Sequence, residues 1–333
     1  PRSTPKPSSA ASDVHKRQAL VRLVGQDRPH APAVLLTTVN AALQRLPPRS
    51  SIKGTVFQAG IGATVEVGEL IEFLVLNGYS RTGTVMETGE FATRGGIVDI
   101  FPAGAPTPLR LDFFGDTLEN VRLFDPLTQI TIGEGRTVNL VPASEVQLTK
   151  ETTARFRQGY RELFGTVTDD DPLYSSIREG RRHAGMEHWL SLFHDKLETL
   201  FDYVNAGVVT LDHRSLVARD ERLEQIQDYY DARVEALKNP YDGAPIYKPV
   251  PAEGMFLYAV AWDKGITGRI VVMFSPFSAP ADPNTIDFAG RQGRNFAAER
   301  AQAEINVFDA LSDHVAAQHQ AAVSYTHLTL TTK

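Results

Sequence analysis

The sequence contains no cysteine among its 333 residues. This absence excludes a disulfide framework and any zinc site built from thiolates, and it is typical of a reducing compartment. No apolar run approaches the ~20 residues of a membrane-spanning helix, and the N-terminus lacks the layout of a secretion signal. We therefore expect a cytoplasmic protein with no membrane partner.

The chain also lacks an excess of positive charge. The chain has 34 Lys and Arg against 40 Asp and Glu, which gives a formal net charge of -6. Because binding to a phosphate backbone relies on concentrated positive charge, this balance argues against a nucleic-acid-binding role for the whole surface. Hydrophobic residues make up 42% and charged residues 22% of the chain, as is typical of a globular protein with two or three domains.

The two ends have compositions that do not favour a buried core. Residues 1–18 are rich in Pro, Ser and Lys without an apolar period, and residues 324–333 form a Thr-rich polar tail. We expect both ends to be disordered. We also interpret them as non-native, since they resemble translated adaptor sequence at the ends of an incompletely assembled reading frame. The chain is therefore expected to be a fragment, truncated at both ends.

The pattern of apolar and turn residues in the remaining sequence changes three times. An α/β pattern over residues 19–53 gives way to a small α+β module over residues 54–145, with an amphipathic helix and short strands separated by turn residues. The α/β pattern returns over residues 146–285, and residues 286–323 read as a linker and the first helix of another domain. These patterns predict a mixed α/β and α+β fold, in which the α+β module is inserted into a split α/β domain. The strands expected up to the end of the module lie at residues 34–37, 55–57, 84–87, 96–101, 109–114, 121–124 and 130–132.

The strand from Leu109 to Phe114 carries the most informative pattern. Its alternation places one apolar set on the core face and Arg110, Asp112 and Phe114 on the opposite face. Arginine and aromatic residues that share an exposed face are typical of protein–protein hot spots. The alternative is that Arg110 and Asp112 lie on a solvated face while Phe114 fills a secondary core. Arg94 precedes Gly95-Gly96, and the hairpin formed there could bring it near Arg110.

Three segments of the module resemble a known signature: GEFATRGGIVDIFP at residues 89–102, LRLDFFGD at 109–116 and FDPLTQ at 124–129. They are similar to the sequence shared by bacterial transcription-repair-coupling factors and the excinuclease protein UvrB, and the resemblance extends over roughly residues 19–320. It implies that the split α/β domain is RecA-like and that the inserted module binds the excinuclease protein UvrA. It also implies that Arg94, Arg110 and Phe114 are the contact residues, with Asp99 and Asp112 as supports that orient the arginines.

The end of the strand at Val208 to Leu211 distinguishes the two relatives. UvrB carries Asp-Glu-Ser-His there, whereas this chain has Asp212 and then His213, and no P-loop motif occurs in the sequence. This degenerate ATPase position favours a coupling factor, and a diverged UvrB, an ATP-dependent helicase-like protein of damage recognition, is the alternative. We therefore expect no enzyme activity and no cofactor in this chain.

For the full-length coupling factor, the resemblance implies ATP and Mg bound outside this chain. It likewise implies that missing domains bind RNA polymerase and double-stranded DNA, and that a C-terminal domain masks the docking surface until activation.

The sequence gives little support for a metal site or for an arginine-finger motif. His183, His188 and His194 are spaced five and six residues apart, unlike the i, i+4 pair of a helical zinc site, so we expect no metal centre. Residues 290–294 superficially resemble a helicase arginine-finger motif, but we interpret them as part of a linker.

Overall fold

The computed structural model of the chain describes residues 7–25, 34–167, 171–204, 207–238, 247–277, 280, 282–288, 294–302 and 306–320. These residues fall into two units, the first within residues 1–274 and the second within residues 275–333. The second unit contains only two of the helices given below, α11 and α12.

Helices dominate both ends of the described chain. The α-helices are α1 (Pro7–Gly25), α2 (Val39–Ala42), α3 (Arg49–Ile52), α4 (Val67–Leu76), α5 (Lys150–Phe164), α6 (Pro172–Arg178), α7 (Leu200–Tyr203), α8 (Ser215–Lys238), α9 (Ala252–Met255), α10 (Ala259–Ile266), α11 (Ala297–Arg300) and α12 (Val307–Gln320). A 3₁₀ helix spans Met186–Leu192.

Strands concentrate in the middle of the chain. They are β1 (Phe57–Gly60), β2 (Ser80–Arg81), β3 (Glu90–Arg94), β4 (Ile97–Ile100), β5 (Leu109–Phe114), β6 (Thr117–Phe124), β7 (Thr131–Gly135), β8 (Thr137–Leu140), β9 (Val208–Asp212) and β10 (Ile270–Phe274). The expected mixture of α/β and α+β structure is therefore confirmed.

A six-stranded sheet with the order β2-β3-β4-β5-β6-β7 forms the inserted module together with α4. All neighbours pair antiparallel except β2 and β3, which pair parallel over two residues. Leu70 and Leu74 of α4 pack into one core cluster with Val98 of β4 and Leu111 of β5. One face of the sheet is thus buried by the helix, and strand alternation turns every second side chain to the other face.

The helix α4 ends where its apolar period stops. Gly78 adopts φ +91, which a residue with a side chain rarely adopts, and an added Cβ would lie 2.7 Å from Cβ of Ser144. The side-chain amide of Asn77 donates to the carbonyl of Phe73 at 2.9 Å, and Asn77 Oδ1 accepts from Gln147 at 2.9 Å. These contacts tie the end of the helix to the stretch of chain that leaves the module.

A helical cluster follows the module. The capping box at Thr149 begins α5, whose Phe156 and Tyr160 are buried against Phe193. Asp171 caps α6 and also accepts the hydroxyl of Tyr160 at 2.7 Å. The cluster is therefore held by ring packing at its centre and by one carboxylate at its edge.

The remaining α/β elements come from both sides of the module in sequence. Leu43, just after α2, packs with Leu211 of β9 and with Leu223 and Ile226 of α8 in one cluster. Strands β9 and β10 pair parallel, in register from Val208–Ile270 to Asp212–Phe274. Shared packing across the insertion is what a split α/β domain requires, whereas its RecA-like character and the domain boundaries given above stay predictions.

Two expected strands are not formed. Residues 34–37 are extended without strand pairing, and Val34 and Leu36 are almost fully exposed. A strand requires a hydrogen-bonded partner, and none of the described strands pairs with this segment. Residues 84–87 form a loop because the backbone N–H groups of Met86 and Glu87 donate to the Glu90 side chain instead of a neighbouring strand.

Other expectations differ in extent. The strands β2, β3, β8 and β10 have no counterpart in the sequence-based prediction, whereas β5 has the predicted bounds. Residues 7–18, where disorder is expected, lie within α1. The tail at 324–333 and residues 290–293 lie outside the described residues. In the described part of the chain, no helix is both long and apolar enough to cross a membrane.

We expect His194, which follows the 3₁₀ helix, to make the fold sensitive to mild acid. Burial lowers the pKa of His194 from its ordinary 6.5 to about 4, and the charge of Arg155 adds to this effect. The unfolded chain then takes up a proton near pH 6.5 but the folded chain only near pH 4, so the free energy of unfolding decreases as the pH falls through this window. Urea unfolding midpoints between pH 7 and pH 4 should decrease less for His194→Gln than for the wild type. Parallel pH profiles for the two proteins would contradict this assignment.

Candidate protein-docking surface

The sheet face opposite α4 carries the charged residues predicted from the sequence. Asp99 pairs with Arg110 across β4 and β5, and Arg94 pairs with Ile97, which in turn pairs with Asp112. Paired residues point to the same face, so both arginines and both aspartates lie on one side of the sheet. We call this side the arginine face and define it by Arg94, Arg110, Phe114 and Arg122.

Arg110 is held firmly at the centre of this face. Its guanidinium donates to both carboxylate oxygens of Asp99, at 2.7 and 2.9 Å, and lies 4.7 Å above the ring centre of Phe124. A third, longer bond of 3.4 Å reaches the carbonyl of Gln129. The bond to Asp99 raises the pKa of Arg110 above its ordinary value, so the group stays charged. The Arg110 side chain is 18% exposed and that of Asp99 only 4%.

Asp112 pairs with a different arginine from those that the resemblance implies. Arg122 of β6 donates to both of its carboxylate oxygens, at 2.8 and 2.7 Å. Asp112 therefore orients Arg122, whereas Arg110 is bound by Asp99 and, through one longer bond, by the carbonyl of Gln129. Sequence inspection misses Arg122 because its contact depends on how β5 pairs with β6, where Arg122 lies opposite Arg110 and diagonal to Asp112.

Arg94 lies at the end of β3 and is exposed. Its guanidinium donates to the carbonyl of Gly83 at 2.7 Å and contacts the hydroxyl of Thr84 at 3.4 Å. Both partners are neutral, so these contacts direct the side chain without neutralising its charge. Arg94 therefore offers a positive group that an acidic partner can reach.

Phe114 is 77% exposed at the end of β5. The alternative interpretation places it in a secondary core, and such a core does exist on this face. Its members, however, are Val85, Ala92, Phe101 and Phe124. Phe114 thus presents most of its ring to solvent, on the same face as the arginines.

Strand geometry gives the spacing of the three predicted contact residues. With about 4.8 Å between strands and about 3.4 Å of rise per residue, the Cα atoms of Arg94, Arg110 and Phe114 lie roughly 12–14 Å apart. That span fits inside a standard protein–protein interface of about 800 Å² per partner. The structure therefore brings the three residues together on one accessible surface.

The degenerate ATPase position lies at the end of β9, within the α/β part. Asp212 accepts the backbone N–H of Arg214 at 3.0 Å and lies 3.1 Å from Nδ1 of His213. Its side chain is 69% exposed. Among the residues that the structure describes, no cluster of three His, Asp or Glu side chains has the arrangement of a metal site.

Comparison with known proteins gives two findings. Residues 57–146 match the family described as UvrB interaction domain. The chain is also similar to transcription-repair-coupling factors, with 32% identity in Haemophilus influenzae over 62% of this chain and 18% of the relative, and 35% in Escherichia coli over 57% and 17%. The factor of Bacillus subtilis is 26% identical over 79% of this chain and 23% of its own length. The resemblance noted in the sequence is confirmed, and the chain spans about a fifth of the length of these relatives.

The Asp99–Arg110 pair gives a prediction about stability. We expect Arg110→Ala to lower the free energy of unfolding by about 3 kcal/mol or more, because it leaves the buried carboxylate of Asp99 without its partner. Removing both charges with Asp99→Ala and Arg110→Ala should cost less than the single change. Chemical unfolding of the three proteins measures the difference. A double variant that is less stable than the single one would show that the charge pair does not act as described.

Proposed function

We propose that residues 57–146 recruit the excinuclease protein UvrA through the arginine face. In this proposal, the chain is a non-catalytic, protein-binding part of a transcription-repair-coupling protein that acts in nucleotide excision repair. The observation that carries it is the 77% exposure of Phe114 on the sheet face that also holds Arg94 and Arg110. A large exposed aromatic ring beside arginines is typical of a binding hot spot on a protein surface. The matched family and the named relatives support the same conclusion.

The three contact residues contribute in different ways. Arg110 is already bound to Asp99 and stacked on Phe124, so its guanidinium is a fixed positive charge with little freedom to lose on binding. Arg94 and Phe114 are more accessible and provide the energetic anchors. The partner surface should therefore combine carboxylates, which meet the arginines, with an apolar pocket for the Phe114 ring.

Activities of the whole protein belong to the same proposal. We infer that ATP, Mg, double-stranded DNA and RNA polymerase are bound by other domains of the intact coupling factor, and that its C-terminal domain masks the arginine face. Asp212 followed by His213, where UvrB has a glutamate, favours this interpretation over a diverged UvrB with ATPase activity.

Binding to UvrA tests the proposed surface. We expect Phe114→Ala and Arg94→Ala each to weaken binding of the chain more than tenfold, since truncating a hot-spot residue costs about 2 kcal/mol. Calorimetric titration of UvrA with each variant gives the affinities. Both side chains are exposed, so the folded state should remain intact.

Arg136→Ala is the matched control for charge, because Arg136 is exposed within the same module but outside the arginine face. Tyr229→Ala is the control for an aromatic ring, since Tyr229 is 64% exposed on α8. Equal affinities for all four variants and the wild type would remove Arg94 and Phe114 from the interface.

Nucleotide binding separates the proposal from its alternative. We expect the chain to show no saturable change in the fluorescence of a labelled ATP analogue with Mg, because Asp212 is followed by His213 and not by the second acid that helps to hold Mg²⁺ in an ATPase. Saturable binding that is lost in Asp212→Ala would favour a diverged UvrB.

A further inference from the structure

The loop between β6 and β7 presents two large apolar side chains beside the arginine face. Leu127 is 79% exposed and Ile130 is 65% exposed. Single exposed apolar residues are common and need no explanation. Two of them on a short connection between paired strands indicate a contact site for a partner when the connection is rigid and lies next to a binding surface.

The loop is rigid because its polar groups are engaged within it. Asp125 Oδ1 accepts the backbone N–H groups of Leu127 at 3.0 Å and Thr128 at 2.7 Å, and also the Thr128 hydroxyl at 2.9 Å. The backbone N–H of Asp125 donates to the carbonyl of Ile130 at 2.9 Å, which closes the loop. These bonds to Thr128 and Leu127 lower the pKa of Asp125 below its ordinary value.

Gln129 anchors the loop at an energetic cost. It adopts φ 61, a left-handed conformation that residues other than glycine avoid. Its side-chain amide donates to the carbonyls of Val85 at 3.0 Å and Pro126 at 2.6 Å, while its Oε1 is buried without a hydrogen-bond partner in the described structure. The strained residue thus fixes the loop to Val85, a member of the small core on the arginine face.

The loop also adjoins Arg110 directly, because the carbonyl of Gln129 accepts from its guanidinium. Along the strands, the loop and Phe114 lie at opposite ends of the arginine face, since β6 runs antiparallel to β5. About six residues of strand separate them, or roughly 20 Å. A standard interface of about 800 Å² per partner is wide enough to include both ends.

We propose that Leu127, presented by this loop, is a second apolar anchor for UvrA. The arginine face then has an apolar group at each end and positive charge between them. The proposal rests on the proposed function, because it extends the same surface to the same partner. The pocket for Leu127 should lie on the partner about 20 Å from the pocket for Phe114. Since the loop is ordered before binding, little conformational entropy is lost when Leu127 is buried.

Affinity measurements on the full 333-residue chain test this anchor. We expect Leu127→Ala to weaken binding to UvrA at least about fivefold, and Asp125→Ala to weaken it several-fold while Leu127 is still present. Ile61→Ala is the matched control, since Ile61 is 51% exposed in the same module and away from the loop, and it should bind like the wild type.

The outcomes separate the two proposals. If Phe114→Ala weakens binding and Leu127→Ala does not, the second anchor is overturned and the proposed function stands. If Asp125→Ala binds as the wild type does while Leu127→Ala is weakened, the ordered loop is not what presents Leu127, and that part of the inference is overturned. A wild-type chain that does not bind UvrA overturns the proposed function, and the second anchor with it.

Discussion

The ion pair between Asp99 and Arg110 links the interior of the sheet module to its outer surface. The helix α4 covers one face of the sheet, whereas the side chains of the other face need a different environment. On that other face, the pair lies between a small apolar core and an open region. The carboxylate is nearly buried, and the guanidinium satisfies it through two bonds while covering the Phe124 ring. Because a buried charge without its partner is costly, the pair fixes both the register of β4 against β5 and the position of Arg110.

The parts of this arrangement that depend only on the local pattern of residues can be predicted from the sequence. The alternation in Leu109–Phe114 gives the bounds of β5 and the separation of its two faces, and the apolar period predicts the amphipathic helix of the module, α4. Residues 34–37 have the composition of a strand, but strand formation depends on a partner elsewhere in the chain. The same limit explains Arg122, since no local signal reveals that Asp112 of β5 meets it across the sheet.

The α/β part shows a non-local constraint of another kind. Leu43 precedes the module and Leu211 follows it, yet both enter one apolar cluster with α8. Such packing requires that the two ends of the inserted module lie close together, and the antiparallel pairing of β1 with β8 meets this requirement. The changes in the pattern of apolar and turn residues indicate an insertion, but they do not reveal which side chains join the two parts. That information lies in packing between residues far apart in the chain.

The physical character of the arginine face follows from how its groups are held. Phe114 has two side-chain torsions, and Arg110 is fixed by Asp99 and Phe124, so binding would order few additional degrees of freedom. Arg94 keeps its charge because its partners are a backbone carbonyl and a hydroxyl. Fully paired arginines would offer a partner little electrostatic attraction, whereas three unpaired ones would repel one another across the sheet. Pairing Arg110 and Arg122 with aspartates, while Arg94 has neutral partners, limits this repulsion and leaves one accessible positive charge near the exposed ring.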